Sequence, residues 1–260
     1  MARHRDEAGL WLRRYHPAPA ARVRLVCFPH AGGSATAYHA MSAALAPVAE
    51  VLAVQYPGRQ DRHSEPCAGS LTELADRLAP LLAARLGGRP PALFGHSMGA
   101  TVAYEVARRL ERDGRSGPSV VFVSGRRAPQ LARNEHVHLR DDRGILRELE
   151  LLGGSAAEAL ADPELLRIVM PAIRGDYRAS ETHVHVPGPA LRCPLVALTG
   201  DADPRAALPE VEEWRGCTEG PFTVRVFPGG HFYLHDQADA VHGAVREQLL
   251  SLPMEGAGAH

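Results

Sequence analysis

The sequence predicts an α/β fold: a mostly parallel central sheet flanked by helices, with a helical insertion over one edge. Three observations carry that prediction. Short apolar runs alternate with amphipathic helical patterns along most of the chain, as in sheets whose strands are joined by crossover helices. One of these runs, Pro91 to Phe94, leads directly into Gly95-His96-Ser97-Met98-Gly99 and then into a helical pattern through Thr101, Val102, Tyr104, Val106 and Leu110. The alternation breaks once, over residues 126–192, where helical patterns occur without a strand of comparable apolarity.

Taken in order, residues 1–21 form a polar lead-in that Trp11, Leu12 and Tyr15 would anchor. Val23 to Phe28 is a buried strand that stops at Pro29, and a Gly-rich loop through Ser34 follows. A helix is expected from about Thr36 to Leu45, and a second strand from Val48 to Tyr56, closed by Pro57-Gly58-Arg59. Ser70 with Glu73 is a capping-box signature; it opens a helix bearing Leu71, Leu74, Leu78 and Leu81 that fades at Gly87-Gly88. After the elbow strand and helix comes a turn at Gly114 and a strand from Ser119 to Ser124. The insertion holds helical patterns from Ile145 to Leu152 and from Pro163 to Ser180. Leu195 to Thr199 restores the strand rhythm, Ala206 to Trp214 reads as helical, and Phe222 to Phe227 alternates as a final strand. A closing helix runs from about Asp236 to Leu250, and a frayed tail is expected after it. A chain of 260 residues is an ordinary length for one such domain. The insertion then lies over the carboxyl edge of the sheet, where open α/β sheets bind ligands. We refer to it as the lid.

Composition narrows the function. Hydrophobic content of 45% and charged content of 23% are those of a globular protein, and a net charge of −1 argues against a nucleic-acid partner. Every basic residue is arginine, which coding bias explains. Cys27, Cys67, Cys193 and Cys217 are widely spaced, and Cys27 and Cys193 lie in or beside apolar runs. Buried thiols of this kind fit a reducing cytoplasm. The N-terminal stretch lacks an apolar signal core and no run approaches bilayer length, so no membrane partner is expected.

Gly-x-Ser-x-Gly between a strand and a helix is a nucleophile elbow. The serine takes a strained backbone conformation there, and its neighbours must carry little or no side chain, as Gly95 and Gly99 do. Ser97 would stand at a helix N-terminus, where the dipole and free N–H groups favour an oxyanion. A serine hydroxyl also needs a base, and the base needs an acid to orient it. In the α/β-hydrolase arrangement these follow in the order serine, acid, histidine, each after a strand. His231, after the last strand and Gly229-Gly230, holds the position of the base. The acid should follow Leu195 to Thr199, where Asp201 and Asp203 both qualify and either could instead cap a helix; spacing does not choose between them. Oxyanion donors would be the backbone N–H of Met98 and one from the loop at Ala31, Gly32 and Gly33, with Ala31 the choice. That loop lacks a P-loop ending and any acid placed for a dinucleotide ribose.

The assembled pattern resembles the stand-alone type II thioesterases that accompany polyketide synthases and nonribosomal peptide synthetases. The similarity covers nearly the whole chain and rests on several blocks. They are Trp11-Leu12-Arg13-Arg14, Cys27-Phe28-Pro29-His30-Ala31-Gly32-Gly33-Ser34, Gln55-Tyr56-Pro57-Gly58-Arg59 and Phe94-Gly95-His96-Ser97-Met98-Gly99-Ala100. Further along are Ser124-Gly125-Arg126-Arg127-Ala128-Pro129, Met170-Pro171-Ala172-Ile173-Arg174-Gly175-Asp176-Tyr177, Gly200-Asp201-Ala202-Asp203-Pro204 and Gly229-Gly230-His231-Phe232-Tyr233-Leu234. The resemblance implies an α/β-hydrolase fold with a lid, and Asp203, the aspartate before proline, as the acid. It implies hydrolysis of acyl groups from the phosphopantetheine thiol of carrier domains, with acyl or peptidyl carrier proteins as partners. No cofactor of the enzyme's own and a monomer are expected.

Other signals are weaker. His136-x-His138 with Asp141 and Asp142, and His183-x-His185, lack a complete ligand set, so no metal is expected. Arg13-Arg14, Arg108-Arg109 and Arg126-Arg127 are candidates for meeting an acidic carrier. A general carboxylester hydrolase or an acyltransferase would use the same triad and differ in the group that accepts the acyl chain. A non-catalytic binding protein on this fold would usually have lost a triad member.

Overall fold

The computed structural model describes residues 9–112, 117–131, 133, 135–153 and 162–253; the expected turn at Gly114 and the tail after Pro253 lie outside them. Apolar runs pair where the sequence places them. β2 (Val23–Phe28), β4 (Ala92–His96), β5 (Val120–Ser124), β6 (Leu195–Gly200) and β7 (Phe222–Phe227) are parallel, as is β3 (Ala49–Val54) beside β2. With Leu12–Arg13 as β1, the seven-stranded order is β1-β3-β2-β4-β5-β6-β7. β3, β4, β5 and β6 are buried along their whole length, which is why they are mostly apolar, Glu50 of β3 and His96 of β4 being buried polar exceptions. β7 closes the sheet and alternates.

Helices cover both faces. α1 (His39–Leu45) and the C-terminal α8 (Ala238–Ser251) pack on one, through Met41, Leu45, Val241, Val245 and Leu249. α2 (Leu71–Leu86) and α3 (Met98–Arg112) pack on the other, through Leu74, Leu78, Leu82, Val102 and Val106. The cap of α2 explains its start: the Ser70 hydroxyl accepts from the Glu73 N–H at 3.1 Å. The return bond of the expected capping box instead comes from the Gly69 N–H to Glu73 at 2.8 Å, one residue early. Gly87, with φ 60°, ends the helix in the left-handed conformation that favours glycine.

Two features depart from the expectation. Leu12–Arg13 is a short strand, β1, antiparallel to Val54 and Ala53 of β3, so the lead-in extends the sheet instead of merely resting on it. It is too short for a periodic signal, and the open edge of β3 decides it. Trp11 beside it is buried under the Arg62 guanidinium, 4.3 Å from the ring centre. The helix expected from Thr36 begins as a 3-10 turn, Ala35–Tyr38, before α1.

Over the carboxyl edge lie α4 (Asp142–Leu151) and α5 (Pro163–Glu181), each capped by an aspartate, Asp141 and Asp162. They share a small apolar cluster of Val137, Ile145, Leu149, Met170 and Ile173. Between β6 and β7 stand α6 (Leu208–Glu212) and a 3-10 turn, Glu213–Cys217; a single helical turn, α7 (Tyr233–Asp236), precedes α8. Among the described residues no helix is long and apolar enough to cross a membrane. All four cysteines are free thiols.

Candidate active site

Ser97 lies between β4 and α3 with φ 54°, a conformation that costs a non-glycine residue about 1–3 kcal/mol. The flanking glycines explain how the turn is made. A Cβ at Gly95 would stand 2.0 Å from the Gly99 carbonyl oxygen, and one at Gly99 would stand 2.0 Å from the Phe28 carbonyl oxygen. No side chain fits at either position, so strand, elbow and helix can meet only through glycine.

The loops after β6 and β7 bring the acid and the imidazole to that serine. The Ser97 hydroxyl is 2.9 Å from His231 Nε2, and His231 Nδ1 is 2.9 Å from Asp203 Oδ2. With a carboxylate facing Nδ1, that nitrogen carries the proton and Nε2 is free to accept one from Ser97. His231 is 2% exposed and Asp203 6%, so little water competes for these bonds. The second oxygen of Asp203 accepts the Arg205 N–H at 2.8 Å. Asp201 plays a different part: its carboxylate accepts the Gly229 N–H at 2.9 Å and tethers the loop that carries His231. Gly200 is required here too, since a Cβ would meet the Gly229 carbonyl oxygen at 2.3 Å.

In the loop after β2, Gly32 N–H donates to Asp176 at 2.8 Å and Gly33 N–H to the His30 carbonyl at 2.9 Å. No acceptor among the described residues takes the Ala31 N–H, and Ala31 lines the cavity that holds Ser97. Met98, the first residue of α3, lines it as well, and its N–H precedes the first intrahelical bond. Both proposed donors therefore border the same space as the hydroxyl.

Beside His231 is a group of side chains to which the sequence reading assigned no role. The rings of His96 and His231 lie 5.0 Å apart, and His30 stands 6.0 Å from His96. Phe232 packs against all three. Burial, with the nearby His231 adding to it, holds the His96 imidazole well below the usual histidine range and lowers His30 to about 3. These two rings are neutral neighbours of the candidate base. His96 Nδ1 is 2.9 Å from the Ser124 hydroxyl, which is 2.6 Å from the Tyr233 hydroxyl. This second network includes a serine but does not reach His231. Both histidines adjoin glycine motifs, His30 before Gly32-Gly33 and His96 inside the elbow, and that adjacency is the signal the sequence offers for them.

The cavity at Ser97 measures about 60 Å³, bounded by Leu149, Leu152 and Tyr177 of the lid. Ligand pockets are commonly ~300–1,000 Å³, so the described cavity is small for an acyl chain. One wall is ionic: Arg205 pairs with Glu148 of the lid and, at 2.8 Å, with Glu135. Arg126 and Arg127 line this cavity instead of offering a pair of outward charges. The Arg127 guanidinium donates to the carbonyls of Leu131 and Arg205. That of Arg126 donates to Ser180, and burial lowers it to about 10. Arg108 and Arg109 are occupied by Glu105 and Asp76, and Arg13 by Asp61. His138 is bound to Glu181 within the lid.

A seven-stranded, mostly parallel sheet with a serine on the elbow after one strand, and an aspartate and a histidine after two others, is an α/β-hydrolase fold. The model of the thioesterase domain family matches residues 23–249. The chain is 54% identical over 244 residues to a probable cadicidin biosynthesis thioesterase of Streptomyces griseus, covering 94% of this chain and 67% of that one. It is 50% identical to thioesterase PikA5 of Streptomyces venezuelae, covering 94% and 87%. The structure of BorB, the type II thioesterase from the borrelidin biosynthetic cluster, superposes with a TM-score of 0.85 at 52% identity, covering 92% and 98%. The chain belongs to the thioesterase family, and within it to the type II enzymes of polyketide and nonribosomal peptide biosynthesis.

Proposed function

We propose that this thioesterase hydrolyses acyl groups carried on the phosphopantetheine arm of carrier proteins, with Ser97 as nucleophile, His231 as base and Asp203 as its orienting acid. The observation that carries the reading is the pair of 2.9 Å contacts from Ser97 Oγ through His231 to Asp203 at a strained elbow. His231 Nε2 takes the hydroxyl proton as Oγ attacks the thioester carbonyl carbon. The carbonyl oxygen becomes an oxyanion, held by the N–H groups of Met98 and Ala31. Collapse breaks the C–S bond, and the imidazolium returns its proton to the departing thiolate. The acyl-Ser97 ester is then opened by water that gives a proton to His231, releasing a carboxylic acid and restoring the hydroxyl.

An apolar pocket separates acyl chains weakly, about 1–3 kcal/mol per methylene. Selection then falls to the arm and the carrier, whose binding can be used to shift the lid over residues 126–192. The test compares one acyl group on a carrier protein with the same group on a small thiol, with release followed by mass spectrometry. A higher kcat/KM on the carrier is expected, with a modest spread across short chains. Equal values would favour a general carboxylester hydrolase.

A further inference from the structure

The loop that offers the Ala31 N–H is held between two parts of the molecule. Gly32 has φ 75°, and a Cβ there would meet Ile173 Cγ1 of α5 at 2.8 Å, so the lid helix rests directly on the loop backbone. Asp176, one helical turn beyond Ile173, accepts the Gly32 N–H at 2.8 Å. The same carboxylate is gripped by both terminal nitrogens of Arg59, at 2.6 and 2.9 Å. Arg59 also donates to the Gly33 carbonyl at 3.0 Å and to the Pro57 carbonyl. Gln55, at the end of β3, continues the support by accepting the Ala35 N–H at 3.0 Å and donating to the Arg59 carbonyl. Arg59 is 8% exposed and Asp176 5%.

Such a buried pair is costly to desolvate and is weak grounds for stability by itself. What it does here is fix backbone geometry. The Gly32 N–H belongs to the Ala31–Gly32 peptide, and the Gly33 carbonyl to the peptide after Gly33. With one anchored on Asp176 and the other on Arg59, the loop loses its freedom to turn the preceding peptide, whose N–H is that of Ala31.

We propose that Asp176 and Arg59 are a positioning pair that sets the Ala31 N–H for the oxyanion, so that lid helix α5 builds part of the hole it covers. The proposal rests on the reading of Ala31 as an oxyanion donor. Its consequence is that lid placement and transition-state stabilisation are linked: a lid shifted away from the loop leaves Gly32 unanchored and the hole imperfect. Neither residue touches the reacting atoms, and both act through the Gly32 and Gly33 backbone.

The test uses the full-length chain with Asp176→Asn, which removes the charge, and Asp176→Glu, which keeps the charge for Arg59 but displaces the oxygen that accepts from Gly32. A boronic acid that becomes tetrahedral on Ser97 reports the oxyanion hole, and a thioether analogue of the substrate reports ground-state binding. In folded variants, kcat should fall ~10–100-fold, as for a displaced hydrogen-bond donor, with KM nearly unchanged. Boronate affinity should fall with kcat, and thioether affinity should hold. Folded variants with wild-type kcat would overturn the proposal, as would parallel losses of boronate and thioether binding. Loss of the folded state in both variants would make the pair a folding strut and overturn it equally. Wild-type protein that neither binds the boronate nor is acylated at Ser97 would overturn the active-site reading itself, and the positioning pair with it.

Discussion

The sheet and the lid are held by different forces. In the sheet, Leu25, Phe94, Phe122 and Leu195 are fully buried among the helices on both faces, in clusters that run the length of the domain. In the lid, a handful of apolar residues pack together, and much of the attachment to the body is ionic: Asp176 to Arg59, and both Glu148 and Glu135 to Arg205. Apolar burial is non-directional and strengthens with every side chain added. An ion pair out of water works only in its own geometry and yields little net energy, because desolvation offsets most of the attraction. The body thereby surrounds Ser97, Asp203 and His231 with packed apolar side chains, while residues 126–192 meet it largely through directional charge contacts.

This contrast can be broken at its strongest point first. Ser97→Ala should reduce turnover by up to ~10⁶-fold, and His231→Ala by a similar factor that does not add to it, because triad members act as a unit. Steady-state rates check this, and unchanged thermal unfolding would show that only chemistry was lost. Asp203→Asn should cost ~10⁴-fold, since it removes the charge that supports the imidazolium. Asp201→Asn should be far milder, because that side chain tethers Gly229 and does not touch His231. Reversed effects in the two aspartate variants would exchange their roles.

Stability should separate the two regions next. Leu78→Ala, in the cluster beneath the sheet, should cost about 2–5 kcal/mol in urea unfolding. Leu149→Ala, at the cavity wall, should cost less, because the lid can settle into the space. A Leu149→Ala loss as large as that of Leu78→Ala would show the lid to be packed as rigidly as the body.

The smallest effect concerns pH. His30 and His96 have folded-state values far below the unfolded one, so between the two the unfolded chain binds protons that the folded chain does not. Stability is then complete above about pH 6.5 and declines as pH falls toward about 3, by up to ~1.4 kcal/mol per pH unit for each proton. His96→Asn should flatten that decline in denaturation curves measured from pH 7 to pH 4. An unchanged slope would mean that neutral imidazoles do not set the acid limit.

Much of this was legible in advance for identifiable reasons. β2 and β7 begin and end where their apolar patterns do, and the elbow glycines announce a turn that no larger residue survives. β1 was not legible, because a two-residue strand has no period and exists only through the exposed edge of β3. Arg126 and Arg127 look like a solvated charge pair in the chain, yet they line the cavity.

What the sequence determined by itself was whatever depends on neighbours along the chain: strand and helix order, the cap at Ser70, and the Gly-Ser-Gly elbow. What only the tertiary structure decided was every choice between residues that are locally alike. Asp201 and Asp203 stand two positions apart in one loop, and each accepts a backbone N–H close by, Gly229 for one and Arg205 for the other. Only the loop after β7, 28 residues further on, brings His231 to one carboxylate and leaves the other tethering Gly229. Arg59 and Asp176 are likewise ordinary charged residues until folding closes the 117 positions between them. Side-chain chemistry is set by type, but its use is set by which groups burial excludes from water together, and that depends on packing across the whole chain.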